Sequence, residues 1–443
     1  MDDLRRIQIC ELTAAVRPAN CPADATGLAV ACSGGPDSMV LLHALAQAGY
    51  ACPLRVLHVC HHLYAEAEQW AAHCSASARQ LGVAFKRLDV TVAASGAGME
   101  AAARHARYKA LAGVLRPGEV LVLAHHADDQ AETFLLQALR GSGVAGLAAM
   151  PQQAAFAAGC MWRPLLELPR VCLQTYARQH ALNWVEDPSN RDPHFDRGYL
   201  RTSVRPALQQ RWPAVVRTLA RSAHWCAQAA ELITEIAAED IGHIATGDQR
   251  LAVAPLQRLS PARQAGVLRH WLTAVQRDAP DHRHLRQLQQ LLHAREQNGP
   301  VVAWRDTEVR LFDGHLHAMA ALAPPPGVWQ SDWWLAKPLQ LPAGCGALQA
   351  TVAGTPSIAV NVRFRRGGER YFDPHYGHHR SLKKFLQAGR VPPWRRSRLP
   401  LLHVHDQLVA IADHWQHPQL AAMLGLQSLR LTWLPPASGT QTD

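Results

Sequence analysis

The sequence lacks the features that mark membrane and secreted proteins. None of its apolar runs reaches the roughly 18 residues that a membrane-spanning helix needs. Its first residues, MDDLRRIQICEL, do not contain the apolar core of a signal peptide. We therefore expect a cytoplasmic protein that has no membrane partner.

Closely spaced cysteine pairs are also missing. The ten cysteines are scattered, and no two have the C-x-x-C spacing that is typical of zinc ribbons and dithiol redox sites. In a reducing compartment, scattered thiols usually serve as small buried hydrophobic groups. We therefore expect neither a zinc ribbon nor a dithiol redox site.

Negative charge is scarce in one C-terminal segment. The chain has a formal net charge of +10, which alone is weak evidence for a nucleic acid partner. Residues 363–398 hold eleven lysines and arginines against Glu369 and Asp373, and aromatic residues are interleaved with them. We call residues 363–398 the basic segment. Its pattern is typical of a site for a polyanion, and the alternative is a basic surface that only faces solvent.

The length of 443 residues predicts more than one domain. We expect an α/β catalytic domain over residues 1–215, a mainly helical middle domain over 216–325 and a small α+β C-terminal domain over 328–443. A Pro-Pro-Pro-Gly linker at 324–327 separates the last two. Short strands are predicted at 301–303, 307–312 and 316–319, and a helix is predicted near 381–388.

Short apolar runs alternate with helical spacing in the first 200 residues. The predicted strands are 27–32, 54–59 and 119–124, and the predicted helices are 36–48, 65–81 and 129–140. Nearly continuous apolar strands that alternate with helices predict a doubly wound parallel sheet. Because ligands bind such sheets beyond the carboxyl ends of the strands, we expect functional residues directly after each strand.

The most specific motif lies between the first predicted strand and the helix that follows it. It consists of Ser33, Gly34, Gly35, Pro36, Asp37 and Ser38, here called the phosphate loop. Glycines allow a tight turn, and backbone N–H groups at a helix start bind anionic oxygens. Since a carboxylate does not favour a bare phosphate, Asp37 also predicts Mg²⁺. The alternative is a purely structural turn.

Histidines and acids follow the other two strands. His58 lies at the end of the second strand, and His125, Asp128 and Asp129 follow the third. These side chains predict a site beside the phosphate loop, although each histidine has a structural, hydrogen-bonded role as its alternative. A dinuclear metal hydrolase also uses histidines and aspartates, but it has no need for a phosphate loop.

The phosphate loop resembles the pyrophosphate loop of the N-type ATP pyrophosphatases, which adenylate a carbonyl oxygen and release pyrophosphate. Further segments resemble the tRNA(Ile)-lysidine synthetase family of that superfamily. These segments are residues 100–108, 125–133, 139–143, 163–166, 184–190, 195–201, 211–213, 362–369, 381–384 and 391–394. The resemblance covers about 30–215 and 360–415.

The resemblance implies an ATP-dependent ligase that forms a carbon–nitrogen bond. It implies that free L-lysine is joined to C2 of the wobble cytidine in tRNA(Ile) with a CAU anticodon, through an adenylated cytidine. The product, lysidine, would switch decoding from AUG to AUA. The implied cofactors are ATP, as co-substrate, and Mg²⁺, and the basic segment becomes the predicted tRNA site. A homodimer is possible, and the sequence does not determine the oligomeric state.

The resemblance also assigns roles to residues. The predicted catalytic residues are Asp37, His125, Asp128 and Asp129, with Asp37 as the Mg²⁺ ligand. The predicted ATP site consists of the phosphate loop, His58 and Arg104. Predicted contacts with lysine or tRNA are Glu132, Asp187, Arg197, Arg201, Lys383, Lys384, Arg395 and Arg396. Several acids, Glu186 among them, are candidates for binding lysine, and the sequence does not distinguish between them.

The sequence departs from the family pattern at three places, one of which is an unusual insert-like stretch at residues 371–379. Cys60-His61-His62 stands where Asp or Asn, His and Gly are usual, and Gly198 replaces an Asn. The nearest alternative is a tRNA 2-thiolation enzyme of the same superfamily, but those enzymes generally use paired cysteines or an iron–sulfur cluster. Small-molecule amidating enzymes would not need the basic segment. A non-catalytic RNA-binding protein would not need the complete phosphate loop.

Overall fold

The computed structural model describes residues 2–62, 64–92, 99–186, 192–246, 250–296 and 299–435. The chain divides into two units, Met1–Leu232 and Ile233–Asp443. Within the described ranges, no helix is both long enough and apolar enough to cross a membrane.

A six-stranded sheet organises the described part of the first unit. Its strands are β1 (Gly27–Ala31), β2 (Leu54–Cys60), β3 (Ala84–Asp89), β4 (Glu119–Val122), β5 (Gln153–Phe156) and β6 (Gly159–Trp162). They lie in the order β3-β2-β1-β4-β6-β5, and each neighbouring pair is parallel except β6 and β5. The predicted parallel sheet is confirmed, whereas β3, β5 and β6 were not predicted.

Helices pack on both faces of this sheet. The helices up to residue 211 are α1 (Asp2–Ala15), α2 (Pro36–Gln47), α3 (Ala67–Gln80), α4 (Met99–Val114), α5 (Ala127–Leu139), α6 (Val144–Leu147), α7 (Arg170–Gln179), α8 (Asp196–Tyr199) and α9 (Arg205–Arg211), with a 3-10 turn at Pro18–Asn20 and a π-helical turn at Leu200–Val204. Leu28 and Val30 of β1 pack with Leu41 of α2. Ala29 packs on the opposite face with Leu111 of α4. Because side chains alternate across a strand, burial of both faces requires the continuous apolar run seen here.

Strand β1 leads directly into the phosphate loop. The strand ends at Ala31, and α2 begins at Pro36 with extended Gly35 before it. Proline suits the first helical turn because the N–H that it lacks would have no partner there. The predicted strand–loop–helix unit is confirmed, and it places the loop at the carboxyl end of β1, between β2 and β4.

The second unit begins with helices and an antiparallel sheet. The helices are α10 (Val215–Ile244), which starts in the first unit, α11 (Val253–Gln257), α12 (Pro261–Ala274) and α13 (His282–Leu291). The strands are β7 (Ala245–Thr246), β8 (Arg250–Ala252), β9 (Val301–Trp304), β10 (Thr307–Phe312) and β11 (His315–Ala320). Strands β9, β10 and β11 confirm the three predicted over residues 301–319. Leu268 and Leu288 from the helices share one core with Val309 from the sheet.

The rest of the second unit is mainly antiparallel sheet. Its strands are β12 (Gln330–Trp333), β13 (Leu339–Gln340), β14 (Ala347–Ala353), β15 (Val360–Phe364), β16 (Arg370–Asp373), β17 (His378–Ser381), β18 (Pro400–Val404), β19 (Gln407–Ile411), β20 (Trp415–Gln416) and β21 (Ser428–Leu434). Its helices are α14 (Leu382–Ala388), α15 (Pro393–Arg396) and α16 (Leu420–Met423). Helix α14 confirms the helix predicted near 381–388. Leu386 of α14 and Val362 of β15 lie in one core, so α14 packs on the sheet as an α+β arrangement requires.

Candidate active site

The phosphate loop is held in shape by its serines and glycines. Ser38 donates a hydrogen bond to the carbonyl oxygen of Gly35 at 3.0 Å, and the hydroxyls of Ser33 and Ser38 lie 3.3 Å apart. Gly34 has a φ of +87°, and a Cβ at that position would lie 2.9 Å from Cγ2 of Val185. Glycine satisfies both the positive φ and the close approach, so the loop requires it at position 34.

Asp37 lies in the first turn of α2, between a histidine and an arginine. Its Oδ2 is 3.5 Å from Nε2 of His126, and its Oδ1 is 3.5 Å from Nε of Arg170. Burial alone would raise the pKa of Asp37. The hydrogen bond and charge of His126 and the charge of Arg170 outweigh burial, so the pKa is lowered. Asp37 is therefore negatively charged at neutral pH.

One oxygen of Asp37 fits a metal ion. Its Oδ1 is buried and accepts no hydrogen bond from the described residues. The charge of Arg170, 3.5 Å away, compensates this oxygen in part but leaves it without a hydrogen bond, so that a metal ion could supply the missing partner. Mg²⁺ prefers carboxylate and phosphate oxygens. The residues at the start of α2 therefore fit the predicted Mg²⁺.

The predicted acids of α5 are bridged by arginines. Glu132 accepts hydrogen bonds from Arg201 at 3.0 and 2.8 Å. Asp129 lies 3.4 Å from the same guanidinium. Arg205 lies 3.2 Å from Asp128 and 3.4 Å from Glu132. Three carboxylates thus share two guanidinium groups, which leaves this network with one excess negative charge.

The adjacent histidines before α5 have opposite electrostatic environments. Burial, together with Arg163, which donates to Nδ1 of His125 at 3.2 Å, lowers the pKa of His125 to about 3. Burial alone would also lower the pKa of His126, but Asp129 and Asp37, at 3.4 and 3.5 Å, outweigh it and raise the pKa. His125 is therefore neutral at neutral pH, and His126 is the histidine that binds a proton more readily. The sequence alone does not distinguish these two neighbouring histidines.

The other two predicted ATP contacts are His58 and Arg104. His58 of β2 donates a hydrogen bond from Nδ1 to the carbonyl oxygen of Cys32 at 2.9 Å, directly before the phosphate loop. Burial lowers the pKa of His58. Arg104 is exposed on α4, and its guanidinium lies 5.0 Å from the centre of the Tyr108 ring. His58 thus supports the loop backbone, while ATP contacts of either residue stay a prediction.

The segment around α8 explains one departure from the family pattern. Arg197 donates to the hydroxyl of Thr133 on α5 at 3.3 Å. A Cβ at position 198 would overlap the carbonyl oxygen of Asp192, so this close approach requires Gly198. The predicted substrate residue Asp187 lies outside the described residues.

The predicted tRNA contacts of the basic segment lie on two helices of the second unit. Lys383 and Lys384 of α14 and Arg395 of α15 are exposed. Arg396 is half-buried and donates a hydrogen bond to the carbonyl oxygen of Val391 at 2.7 Å. The first three are therefore available to a polyanion, whereas Arg396 also supports the local backbone.

Three side chains that lie beside Asp37 or the acids of α5 were not among the predicted site residues. They are His126, Arg170 and Arg205. His126 had a signal, because it stands beside His125 at the start of α5. The backbone N–H of Arg170 donates to Asp128 at 2.9 Å, and Arg205 also contacts Asp128. These contacts arise from the packing of α7 and α9 against α5, for which the sequence has no local signal.

Three family models match the chain. A PP-loop domain matches residues 7–208, a TilS substrate binding domain matches 251–317, and a TilS substrate C-terminal domain matches 360–433. The first match includes the phosphate loop and the acids of α5. The last match includes the whole basic segment.

Several bacterial proteins named tRNA(Ile)-lysidine synthase are similar to this chain. The protein of Xanthomonas campestris pv. campestris is 43% identical over 412 residues, which cover 91% of this chain and 94% of the relative. The protein of Pseudomonas aeruginosa is 41% identical over 436 residues, which cover 94% of this chain and 95% of the relative. A solved U34-tRNA thiolase from Methanococcus maripaludis matches with a TM-score of 0.42 and 16% identity, over 49% of this chain and 78% of that one. So weak a similarity says nothing about the reaction.

Proposed function

Because the chain belongs to the tRNA(Ile)-lysidine synthase family, we propose that it ligates free L-lysine to C2 of the wobble cytidine of tRNA(Ile) with a CAU anticodon. The formation of lysidine on tRNA(Ile) and the use of ATP follow from the family and its domains. The ligase chemistry, with release of AMP and pyrophosphate, is the finer proposal. The observation that supports it most is the phosphate loop with charged Asp37 beside the acids of α5.

The proposed reaction has two steps. The C2 oxygen of the cytidine attacks the α-phosphate of ATP, so that an oxygen–phosphorus bond forms as the bond to pyrophosphate breaks. The ε-amine of lysine, in its neutral form, then attacks C2. The carbon–oxygen bond breaks, AMP leaves with that oxygen, and the amine loses a proton.

The phosphate loop supports the first step. Its backbone N–H groups and the hydroxyls of Ser33 and Ser38 are preorganised donors for the negative charge that develops on pyrophosphate. Mg²⁺ held by Asp37 would neutralise phosphate charge and orient the attack. His126, whose pKa is raised by its acidic neighbours, can hold a proton close to Asp37.

The network on α5 suits the two charged groups of free lysine. At its α-carbon lysine carries an ammonium and a carboxylate. Asp129 and Glu132 offer partners for the ammonium, and Arg201 and Arg205 offer partners for the carboxylate. Insertion of lysine would exchange ion pairs within the network for ion pairs with the substrate.

The basic segment supports a role in holding the tRNA. The target cytidine must leave the anticodon stack, at a cost of a few kcal/mol, and RNA-binding proteins favour unpaired bases of this kind. Phosphate contacts from Lys383, Lys384 and Arg395 would keep the tRNA in register. We assign catalysis to residues 1–215 and tRNA binding to 328–443, with 216–325 positioning the latter. A cytoplasmic location and a homodimer stay predictions.

The proposal is tested by incorporation of labelled lysine into unmodified tRNA(Ile) with a CAU anticodon. We expect incorporation that needs ATP, releases AMP and pyrophosphate, and falls roughly a hundredfold or more in Asp37→Asn. The control is Asp24→Asn, because Asp24 is exposed and has a positive φ that asparagine tolerates.

Two outcomes would contradict the proposal. Release of pyrophosphate without lysine incorporation would keep the adenylation step and require another nucleophile, which sulfur donors would then test. An unchanged rate in Asp37→Asn would remove the proposed role of the phosphate loop.

A further inference from the structure

A set of metal-ligating side chains that the proposed reaction does not use lies where β2 and β3 end. Cys60 is the last residue of β2, Asp89 is the last of β3, and the two are paired in register. His62 follows two residues after Cys60. One ligand atom from each of the three residues lies within 4.8 Å of the other two. The parallel sheet therefore brings the carboxylate of Asp89 to a thiol and an imidazole that lie at least 27 positions earlier in the sequence.

The spacing of the thiol and the imidazole matches that of two zinc ligands. Sγ of Cys60 is 3.7 Å from Nδ1 of His62. In a tetrahedral site with ordinary zinc–ligand distances, a sulfur and a nitrogen ligand lie about 3.6 Å apart. On the other side of the ring, Nε2 of His62 is 2.8 Å from Oδ1 of Asp89.

The backbone at His62 adds an independent observation. His62 has a φ of +53°, in the left-handed region that residues other than glycine adopt only at an energetic cost. Such conformations are concentrated at sites where the geometry has a function. Here the conformation brings the imidazole between Cys60 and Asp89. The side chains of His62 and Asp89 are 48% and 53% exposed, so an ion can reach them.

The positively charged guanidinium of Arg87 lies beside Asp89 and Cys60 and would repel a bound cation. Its Nε donates to Asp89 at 2.8 Å, and its Nη2 lies 3.7 Å from Sγ of Cys60. Arg87 also makes two hydrogen bonds of 2.6 Å to Glu68. These two bonds give Arg87 a partner that it keeps when a metal takes Asp89 and Cys60. We expect the nearby guanidinium to weaken metal binding without preventing it.

We propose that Cys60, His62 and Asp89 form a binding site for a divalent cation of the zinc class. A thiolate, an imidazole and a carboxylate favour Zn²⁺ or Co²⁺ over Mg²⁺, which prefers oxygen ligands alone. A water completes four ligands. The bound ion would tie the end of β2 to the end of β3 and stabilise the first unit.

The experiment is a Co²⁺ titration of the full chain after treatment with a chelator. We expect one equivalent of Co²⁺ to produce a thiolate-to-cobalt charge-transfer band, and Zn²⁺ to abolish it by displacement. Cys60→Ser should remove the band, and His62→Asn should weaken Co²⁺ binding at least tenfold. Asparagine is chosen because it tolerates a positive φ. Cys10→Ser, which changes an exposed thiol elsewhere, should behave as the wild type.

Absence of a cobalt–thiolate band in the wild-type chain, or a band that persists in Cys60→Ser, would overturn the proposal. If Cys60→Ser does not fold, the wild-type chain alone still tests it. Zn²⁺ should then slow the alkylation of Cys60, followed by mass spectrometry of its peptide, and should leave that of Cys10 unchanged. Equal alkylation rates of Cys60 with and without Zn²⁺ would contradict the site.

Discussion

Glu132 of α5 and Arg201 form a two-bond ion pair in the interior of the first unit. Nε and Nη2 of Arg201 donate to the two carboxylate oxygens at 3.0 and 2.8 Å. Only 2% of Glu132 is exposed. Loss of one partner from such a pair leaves a buried charge without compensation, which is strongly destabilising. The pair therefore contributes to the fold as well as to the proposed lysine site.

Glu132→Gln separates these two contributions. We expect the free energy of unfolding to fall by on the order of 3 kcal/mol, because the charge of Arg201 loses its main partner. We also expect KM for lysine to rise at least tenfold while KM for ATP stays unchanged. Urea unfolding and steady-state kinetics at varied lysine and ATP measure the two effects.

The matched control is Glu119→Gln. Glu119 is also buried and accepts a hydrogen bond from Arg55 at 2.7 Å, but it starts β4 and lies at the opposite end of the strand from α5. We expect this variant to lose stability without a change in KM for lysine. A similar rise of KM for lysine in both variants would show that the effect comes from general destabilisation, and it would remove Glu132 from the lysine site.

Gly34→Ala tests the geometry of the phosphate loop. The new Cβ would combine a φ of +87° with a contact of 2.9 Å to Val185. We expect KM for ATP to rise at least tenfold, since the loop backbone must shift. Gly82→Ala is the control, because Gly82 has a φ of +69° but nothing within 4 Å of its Cβ position. It should lose about 1–2 kcal/mol of stability and keep its KM for ATP. Unchanged ATP binding in Gly34→Ala would contradict the loop's role.

The fold was predictable where the strands are buried on both faces. Strand β1 has a continuous apolar run because Leu28 and Ala29 pack into cores on opposite faces. Strand β3 was missed because it lies at the edge of the sheet, where Lys86 and Asp89 are exposed and break the apolar run. Edge strands need less apolar surface, so their sequences give a weaker signal.

The candidate site was predictable where its residues are contiguous. The phosphate loop needs only six neighbouring residues, and their spacing indicates both the turn and its ligand. Arg205 instead contacts Asp128 across 77 positions, and Sγ of Cys32 lies 3.9 Å from that of Cys74 across 42 positions. Such contacts depend on how helices pack, which no local pattern encodes. The roles of the predicted site residues stay predictions.

Replacement of the exposed cations of the basic segment should weaken tRNA binding. We expect Lys383→Ala, Lys384→Ala and Arg395→Ala together to reduce the affinity for tRNA(Ile) at least tenfold. The slope of log affinity against log salt concentration should become shallower by an amount that corresponds to roughly two to three phosphate contacts. ATP binding should not change. Filter binding at several salt concentrations measures both quantities.

The control for this experiment removes the same charge from the first unit. Arg17, Arg79 and Arg116 are exposed and lie outside both the basic segment and the matched substrate binding domain. Their combined replacement by alanine should leave the salt dependence nearly unchanged. If both triple variants lost tRNA affinity equally, the tRNA would respond to net charge alone, and the basic segment would be only a solvent-facing surface.

His403 of β18 makes the stability of the second unit sensitive to acid. It is 5% exposed. Burial, and then the charge of Arg363, lowers its pKa to about 4, compared with about 6.5 in an unfolded chain. Below pH 6.5 the unfolded chain therefore binds a proton that the folded chain does not. Stability is lost as the pH falls from about 6.5 towards 4.

His403→Gln should remove this loss. Between pH 7 and pH 5 the titration of His403 should lower the free energy of unfolding of the wild type by about 2 kcal/mol, and the variant should keep that part of its stability. Urea unfolding at the two pH values measures the difference, with His293→Gln as the control because His293 is exposed. The control should lose stability as the wild type does. An equal loss in His403→Gln would mean that the histidine is not held in its neutral form by burial.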